Sequence, residues 1–585
     1  MSSATSDAPP VESAPVENPL GGGGVSDKVL ADRQKLLEAQ RTGKRWWAYV
    51  QLSGPGWLQS AITLGGGSLA SALFLGVLGG TSLLWLQLIA IVLGVVMLSA
   101  ISYVTLSTGR RPFEAINTEI NPALGWGWLI ATALANMIWC MPQFSLAYDA
   151  IDNNLSPLAT GSQLGDSASM KWTVTAVLLV AAAGVVMLNV RQGKTAKLFD
   201  IVLKALIGMI VLCFFGVVIL LAAQGQLDFA RIFSGFIPTL SSWSTPGGAL
   251  SPLLESLSPD SRDYWASRLV SEQRSVMIAA AATAVGINMT FLLPYSMLSR
   301  GWDRPFRGLA RFDLSTGMAI PYILVTSCVV IAAATSFHAT VDDRLLSDDP
   351  AVVAKSPLYG GVMAEVAKKE GIDSTDESAA LDAVMRLGSD ERTVVSALVK
   401  RNAFQLSETL VPLLGESKSN LVFGLGVFGM GFSTIIILML INGYVFREMM
   451  GDPDGTKPFV IGCLVAGLSG ALWIVLWDAG GGAKFWLPII ASTFGMMLLP
   501  IAYITFFLMM NSVNILGDDK PTGMSMVIWN VLMLAAVIGA IVAAGAAIWG
   551  QMQKSPLAGN LIIGGMVIYG ALIVLGFVMK RRRFA

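Results

Sequence analysis

The sequence is short of almost everything a soluble catalyst uses. Only 13% of its 585 residues are Asp, Glu, Lys or Arg, about half the roughly 25% of a soluble domain. It has one histidine, His338, which argues against a His-based zinc site or a Ser-His-Asp triad deep in the protein. The four cysteines, Cys140, Cys213, Cys328 and Cys463, all lie inside apolar runs. None pairs at metal-ligand spacing, and no disulfide is needed to explain them. Charge of one sign is also missing: 39 basic residues balance 39 acidic ones, which argues against nucleic acid as a partner. No secretory signal precedes the first hydrophobic run. No nucleophile, base and cleft can be argued from these residues, so the chain reads as no enzyme, and no cofactor is expected.

What is present is apolar sequence. Hydrophobic residues make up 54% and mean hydropathy is +0.64. Runs of at least ~18 apolar residues, enough to span a bilayer as helices, occur near 52–79, 82–108, 124–150, 170–190, 197–223, 274–298, 312–338, 420–446, 457–477, 484–511, 523–549 and 558–579. The expected fold class is an all-α integral membrane protein of about twelve transmembrane helices. Every second short loop is basic: Arg41, Lys44 and Arg45, then Arg110 and Arg111, then Arg191, Lys194 and Lys197, then Arg300, Arg304, Arg307 and Arg311, and finally Lys580 to Arg583. That alternation predicts cytoplasmic termini in a multi-pass protein of the cell (inner) membrane.

The chain divides accordingly. Residues 1–46 read as a disordered cytoplasmic tail. Residues 47–224 hold spans one to five, 225–272 an extracytoplasmic loop, and 273–338 spans six and seven. Residues 339–418 form an extracytoplasmic insertion, either a small helical cap or a merely solvated segment, the latter preferred. Residues 419–511 hold spans eight to ten, and 512–585 the last two spans with a basic tail. Trp46, Trp47 and Trp57 suit an aromatic belt. Asp200 and Lys204, four residues apart, read as a structural pair.

The first span, LSGPGWLQSAITLGGGSLASALFLGVLGG, carries Gly65, Gly66 and Gly67 at its centre. Each glycine costs a helix about 1 kcal/mol relative to alanine, so three together predict a break. Irregular backbone is tolerated in lipid only where protein covers it or it lines a cavity. The sixth span has breakers too, Gly286 and Pro294 around Asn288, Met289 and Thr290. Breaks in the leading spans of two five-helix groups point to an inverted-repeat transporter with its site between them. The candidate lining is Gly65, Gly66, Gly67, Ser68, Asn288, Met289 and Thr290.

GPGWLQSAITLGGGS followed by Ser82-Leu83-Leu84-Trp85 resembles the opening of the Nramp divalent-metal transporters. LIATALANMIW, FGLGVFGMGFSTII and STFGMMLLPIAYI are similar to the family's third, eighth and tenth helices. The resemblance covers about residues 47–515 apart from the insertion. It implies inverted five-helix repeats of the leucine-transporter type, with two additional C-terminal helices. It also implies a metal site that this sequence does not reproduce. The family's ligand Asp falls on Gly65 and its Asn on Ser68; its Met-Pro-His becomes Met289-Thr290-Phe291 or a shifted equivalent. Its acidic pair on the third helix falls on Ala133 and Asn136.

A divalent ion leaving water needs several oxygen ligands, and softer metals favour imidazole or thioether. Here the break offers carbonyls, Thr63 and Ser68; Met289 and Cys140 are the only soft donors in view. The partner is therefore a small ion or small molecule, within a lipid bilayer. A cation carrier, magnesium among its substrates, is the first reading, with Asn136, Asn442 and Asn530 as interhelical glue. The alternatives are a same-fold carrier of an amino acid, whose carboxylate would sit on amides of the break, and a non-transporting receptor.

Overall fold

The computed structural model describes residues 27–165, 167–190, 194–373, 376–401, 404, 411, 415–476, 487–554 and 556–584. Residues 1–26 of the expected tail, Arg191 of a basic loop, Asn402 in the insertion and the start of the tenth span lie outside them. All regular elements among the described residues are helices, as lipid requires of a chain that does not close a barrel. Eleven stretches are long and apolar enough to cross a membrane. One of them, Gly66–Thr108, turns at Gly80–Leu83, where Gly80 has φ +59°, and so contains parts of two passes. The protein is a multi-pass all-α membrane protein, with twelve passes among the described residues.

The sixth pass is its axis. In its stretch, Pro259–Ser299, 89% of the apolar window is buried, against none in Gly559–Lys580, the last pass, which faces outward. Lipid tails are as apolar as leucine, so close packing and polar contacts must join the helices. Gly76 shows the first: a Cβ there would lie 2.6 Å from the Val330 carbonyl of the seventh pass. Asparagines show the second. Asn136 donates to Asn442 at 3.2 Å, and Asn511 and Asn530 exchange bonds of 2.9 and 3.2 Å.

Four expectations need correction. The tail is ordered from Asp27: Asp27–Arg41 is a helix, Leu36 is fully buried, and Arg33 bridges Asp303 at 2.9 Å. Residues 225–272 are not a plain loop, because Phe229–Ser234 and Leu250–Glu255 are helical and the sixth pass already begins at Pro259. The insertion is a packed helical unit rather than a solvated segment. Its helices Tyr359–Glu370, Glu377–Met385 and Ser389–Leu398 bury Val362, Val366, Val384, Val394 and Val395. Arg268 of the sixth-pass extension holds Glu365 at 3.1 Å, and Trp265 and Lys369 both hold Glu391 at 2.7 Å. Finally, Asp200 pairs with Arg300 at 2.7 Å, while Lys204 donates to the Ser53 carbonyl at 3.2 Å.

Candidate functional site

The first pass breaks at the triglycine. Helix Pro55–Thr63 stops, Leu64 turns at φ −89°, ψ 53°, Gly65 is extended, and the helix resumes at Gly66. The freed backbone groups find partners on other helices. Ser433 and Thr434 donate their hydroxyls to the Ala61 carbonyl, each at 3.1 Å. The Gly66 N–H donates to Gln143 Oε1 at 2.8 Å. Gly65 O accepts the Ser68 hydroxyl at 2.8 Å and the Leu69 N–H at 3.1 Å.

The sixth pass breaks at the matching depth. Helix Pro259–Ala284 ends, Val285 and Gly286 are extended, and Ile287–Ser299 continues. The Met289 N–H meets Asn288 Oδ1 at 2.9 Å, and the Gly286 N–H points to Met289 Sδ at 3.4 Å.

Between the breaks lies a small cavity, about 30 Å³ to a water-sized sphere, room enough for a water molecule. Of the residues named from the sequence, Gly65, Gly67, Ser68 and Met289 line it. Gly66 acts one step back, through Gln143. Asn288 and Thr290 do not line it. Asn288 turns its oxygen onto the amide of Met289, and Thr290 accepts the indole N–H of Trp128 at 2.9 Å while donating to the Ile287 carbonyl. Cys140 faces elsewhere as well, its sulfur against Gly470.

Thr63, Thr283 and Gly286 of the two broken passes also line it, and Trp139, Gln143, Thr434 and Ser492 come from helices that sequence reasoning did not assign to the site. Gln143 could have been found, since a glutamine beside Pro142 inside an apolar span needs a buried partner. The glycines are where they are because nothing larger fits. A Cβ on Gly65 would lie 2.6 Å from Thr434 Oγ1, on Gly66 2.9 Å from Leu146, and on Gly67 2.8 Å from Ser492 Oγ.

No charged side chain lines the cavity. Among the described residues no three His, Cys, Asp or Glu side chains cluster as a metal cage. An acid bonded to the first broken pass is Asp313, which sequence reasoning passed over. Fully buried, its Oδ2 accepts the N–H groups of Gly54 at 3.1 Å and Gly56 at 2.7 Å. It thus caps the N-terminal half of the first pass, where a helix favours negative charge.

Two passes broken beside one another, with a small cavity between the breaks, are the construction of a secondary transporter. The chain belongs to the Nramp family: the profile described as natural resistance-associated macrophage protein-like matches residues 56–367 and 391–578. It is 22% identical over 355 residues to the divalent metal cation transporter MntH of Brucella suis biovar 1 (strain 1330). That match takes in 57% of this chain and 65% of the relative, so the chain spans a little under two thirds of it. Its fold is that of the Eremococcus coleocola manganese transporter, solved with an aromatic bis-isothiourea compound. The TM-score is 0.62 at 15% identity, over 92% of this chain and 96% of that one.

Proposed function

We propose that the protein carries a divalent metal cation across the cell's inner membrane, through the cavity between Gly65–Ser68 and Gly286–Met289, with both termini cytoplasmic. The observation that carries this reading is the polarity of the four half-helix ends. Pro55–Thr63 and Pro259–Ala284 both turn their carboxyl ends to the cavity, each equivalent to roughly −0.5 charge. At the opposing amino ends the Gly66 N–H is met by Gln143, the Met289 N–H by Asn288 and the Gly286 N–H by the Met289 sulfur. What these ends then offer a ligand is chiefly carbonyl and hydroxyl oxygen. This favours a cation over the carboxylate of an amino acid.

The donor set also speaks to which cation. Thr63, Ser68, Gln143, Thr434 and Ser492 supply hard oxygen, and the Met289 sulfur already accepts from Gly286 at 3.4 Å and Thr63 at 3.6 Å. Oxygen lining suits magnesium or manganese over softer metals. The names of the relatives, a divalent metal cation transporter and a manganese transporter, point the same way. With Gly65, Ala133 and Asn136 in place of acids, no group of the lining takes up a proton on transport, so the flux runs down the metal gradient alone.

Proteoliposomes loaded with a magnesium or manganese indicator test this. Saturable uptake that does not respond to an imposed pH gradient is expected. Absence of flux for every divalent ion, together with thermal stabilisation by an amino acid, would replace the reading with that of an organic-substrate carrier.

A further inference from the structure

A second cavity, of about 530 Å³, lies apart from the central one, between the second pass, helix Pro259–Ala284, and the tenth and eleventh passes. Its walls are apolar, with Leu86, Leu93, Ile278, Val285, Leu499 and Ala540 among them. Its size falls within the about 300–1,000 Å³ of small-molecule sites. Water does not fill such a space, because each molecule needs polar partners that apolar walls lack. Left void, every wall atom would forfeit its contacts on that side. The occupant is therefore apolar, and the rim residues Ile89 and Val542 are exposed where these passes face lipid.

One end is marked by polar chemistry. The indole N–H of Trp85, a lining residue only 6% exposed, has no partner among the described residues. Beside it, Trp243 carries the guanidinium of Arg274 over its ring at 5.7 Å, and Arg274 Nε donates to the Trp243 carbonyl at 2.6 Å. Arg274 is exposed. This end lies on the side of the helical insertion, as the Ser256–Asp390 bond from the same 225–258 segment shows. The other end is Val285, the residue before the break at Gly286, packed so closely on the second pass that a Cβ on Gly94 would lie 2.2 Å from it.

We infer that this cavity holds one acyl chain of a membrane phospholipid from the leaflet on the insertion side. Its ester carbonyl is placed to accept from Trp85, and its phosphate to pair with Arg274. Tryptophan and arginine at a lipid interface suit that division of labour. The chain's end rests on Val285, so the lipid braces the outer segment of the broken sixth pass. This holds whatever species crosses the central cavity.

Native mass spectrometry of the full-length protein with added dioleoyl phosphatidylglycerol reads the site directly. Wild type is expected to retain one lipid under activation that strips the annular ones. Ala281→Phe and Ala540→Phe, which fill the cavity from two different helices, are each expected to weaken retention about tenfold or more, and Arg274→Gln to weaken it less. A dioleoyl-type phosphatidylglycerol carrying a diazirine in its acyl chain should label wild type within 277–285 and 536–543. Equal retention by both folded phenylalanine variants, or labelling spread over other lipid-facing helices, overturns the inference. If either variant fails to fold, the labelling of wild type decides alone.

Discussion

Thr434 Oγ1 occupies the space that a side chain on Gly65 would need, 2.6 Å from the position of its Cβ. That hydroxyl is fixed by the carbonyls of Ala61 and Met430, at 3.1 and 2.8 Å, and cannot step aside cheaply. Gly65→Ala should therefore destabilise by about 1–3 kcal/mol, as overpacking does. Thr434→Ala in the same chain should return part of it, giving a coupling in a thermal double-mutant cycle. Gly65→Asp alone should not create a tighter metal site, whereas Gly65→Asp with Thr434→Ala should. Titration calorimetry with manganese distinguishes the two; tighter binding by the single variant counts against the packing argument.

Gln143 stands in for a backbone carbonyl. Its Oε1 receives the Gly66 N–H at 2.8 Å at the point where the first pass has no helical acceptor. Gln143→Leu leaves that amide buried and unpaired, at a cost of about 1–3 kcal/mol, and should slow metal flux. Gln143→Glu keeps an acceptor and adds charge to the cavity, so it should fold as wild type and bind divalent cations more tightly. Melting curves and binding isotherms on both variants check this.

His338 should give the protein an acid-sensitive seam. Its Nε2 accepts the Ala249 N–H and its Nδ1 contacts the Val77 carbonyl, both at 2.9 Å, which fixes the neutral ring with the proton on Nδ1. Burial lowers its proton affinity below the ordinary 6.5; the Val77 carbonyl opposes this and the Arg231 charge adds to it. The unfolded chain therefore binds a proton before the folded one does. Its contribution to stability is complete above about pH 7 and is lost as pH falls through and below 6.5. A His338→Gln variant should melt with a flatter pH dependence between about pH 7 and 5, and an unchanged slope would exclude this seam.

The insertion is clamped by carboxylates whose contribution is also lost on acidification, over a lower pH range. Burial works against ionised Glu365 and Glu391. Hydrogen bonds from Arg268 and Lys368 to the first, and from Lys369 and Trp265 to the second, outweigh it and hold both below the ordinary 4.5. Their contribution is complete above about pH 4.5 and disappears as pH falls through the lowered folded values. Arg268→Ala should cost about 1.5–3 kcal/mol through the lost charged hydrogen bonds. Exchange protection in Tyr359–Glu370, referred to intrinsic rates, should fall before that of the membrane passes.

The two breaks could be located from the sequence because glycine spacing reports backbone preference, a local property. Gly65, Gly67, Ser68 and Met289 were placed at the cavity on that basis. Depth along a helix does not fix which way a side chain points, and for this reason Asn288 and Thr290 were assigned to a lining they do not reach. The helices that close the cavity are distant in sequence. Gln143 lies 77 residues from the amide it serves, and Thr434 and Ser492 look like ordinary polar residues of membrane helices. Asp313 was missed for a similar reason. Among the arginines of its loop it reads as a boundary charge, and only the folded chain brings Gly54 and Gly56 to it. The insertion's core was illegible because its valines form no long apolar run.

The capping of Gly54 and Gly56 by Asp313 has a mechanical consequence. One half of the first pass is held by directional bonds, from Asp313, from Lys204 to Ser53, and by the Arg300 guanidinium lying against Gly54. The other half is close-fitted at Gly76, with single bonds to Gln143 at Gly66 and to His338 at Val77. The single crossing is thus two levers on one pivot at Leu64 and Gly65, with fastenings of different kinds. Directional bonds let go abruptly when one partner is replaced by water, and close-fitted surfaces yield by degrees. The half beside Asp313 is therefore held mainly by a catch, and the half at Gly76 mainly by a fit.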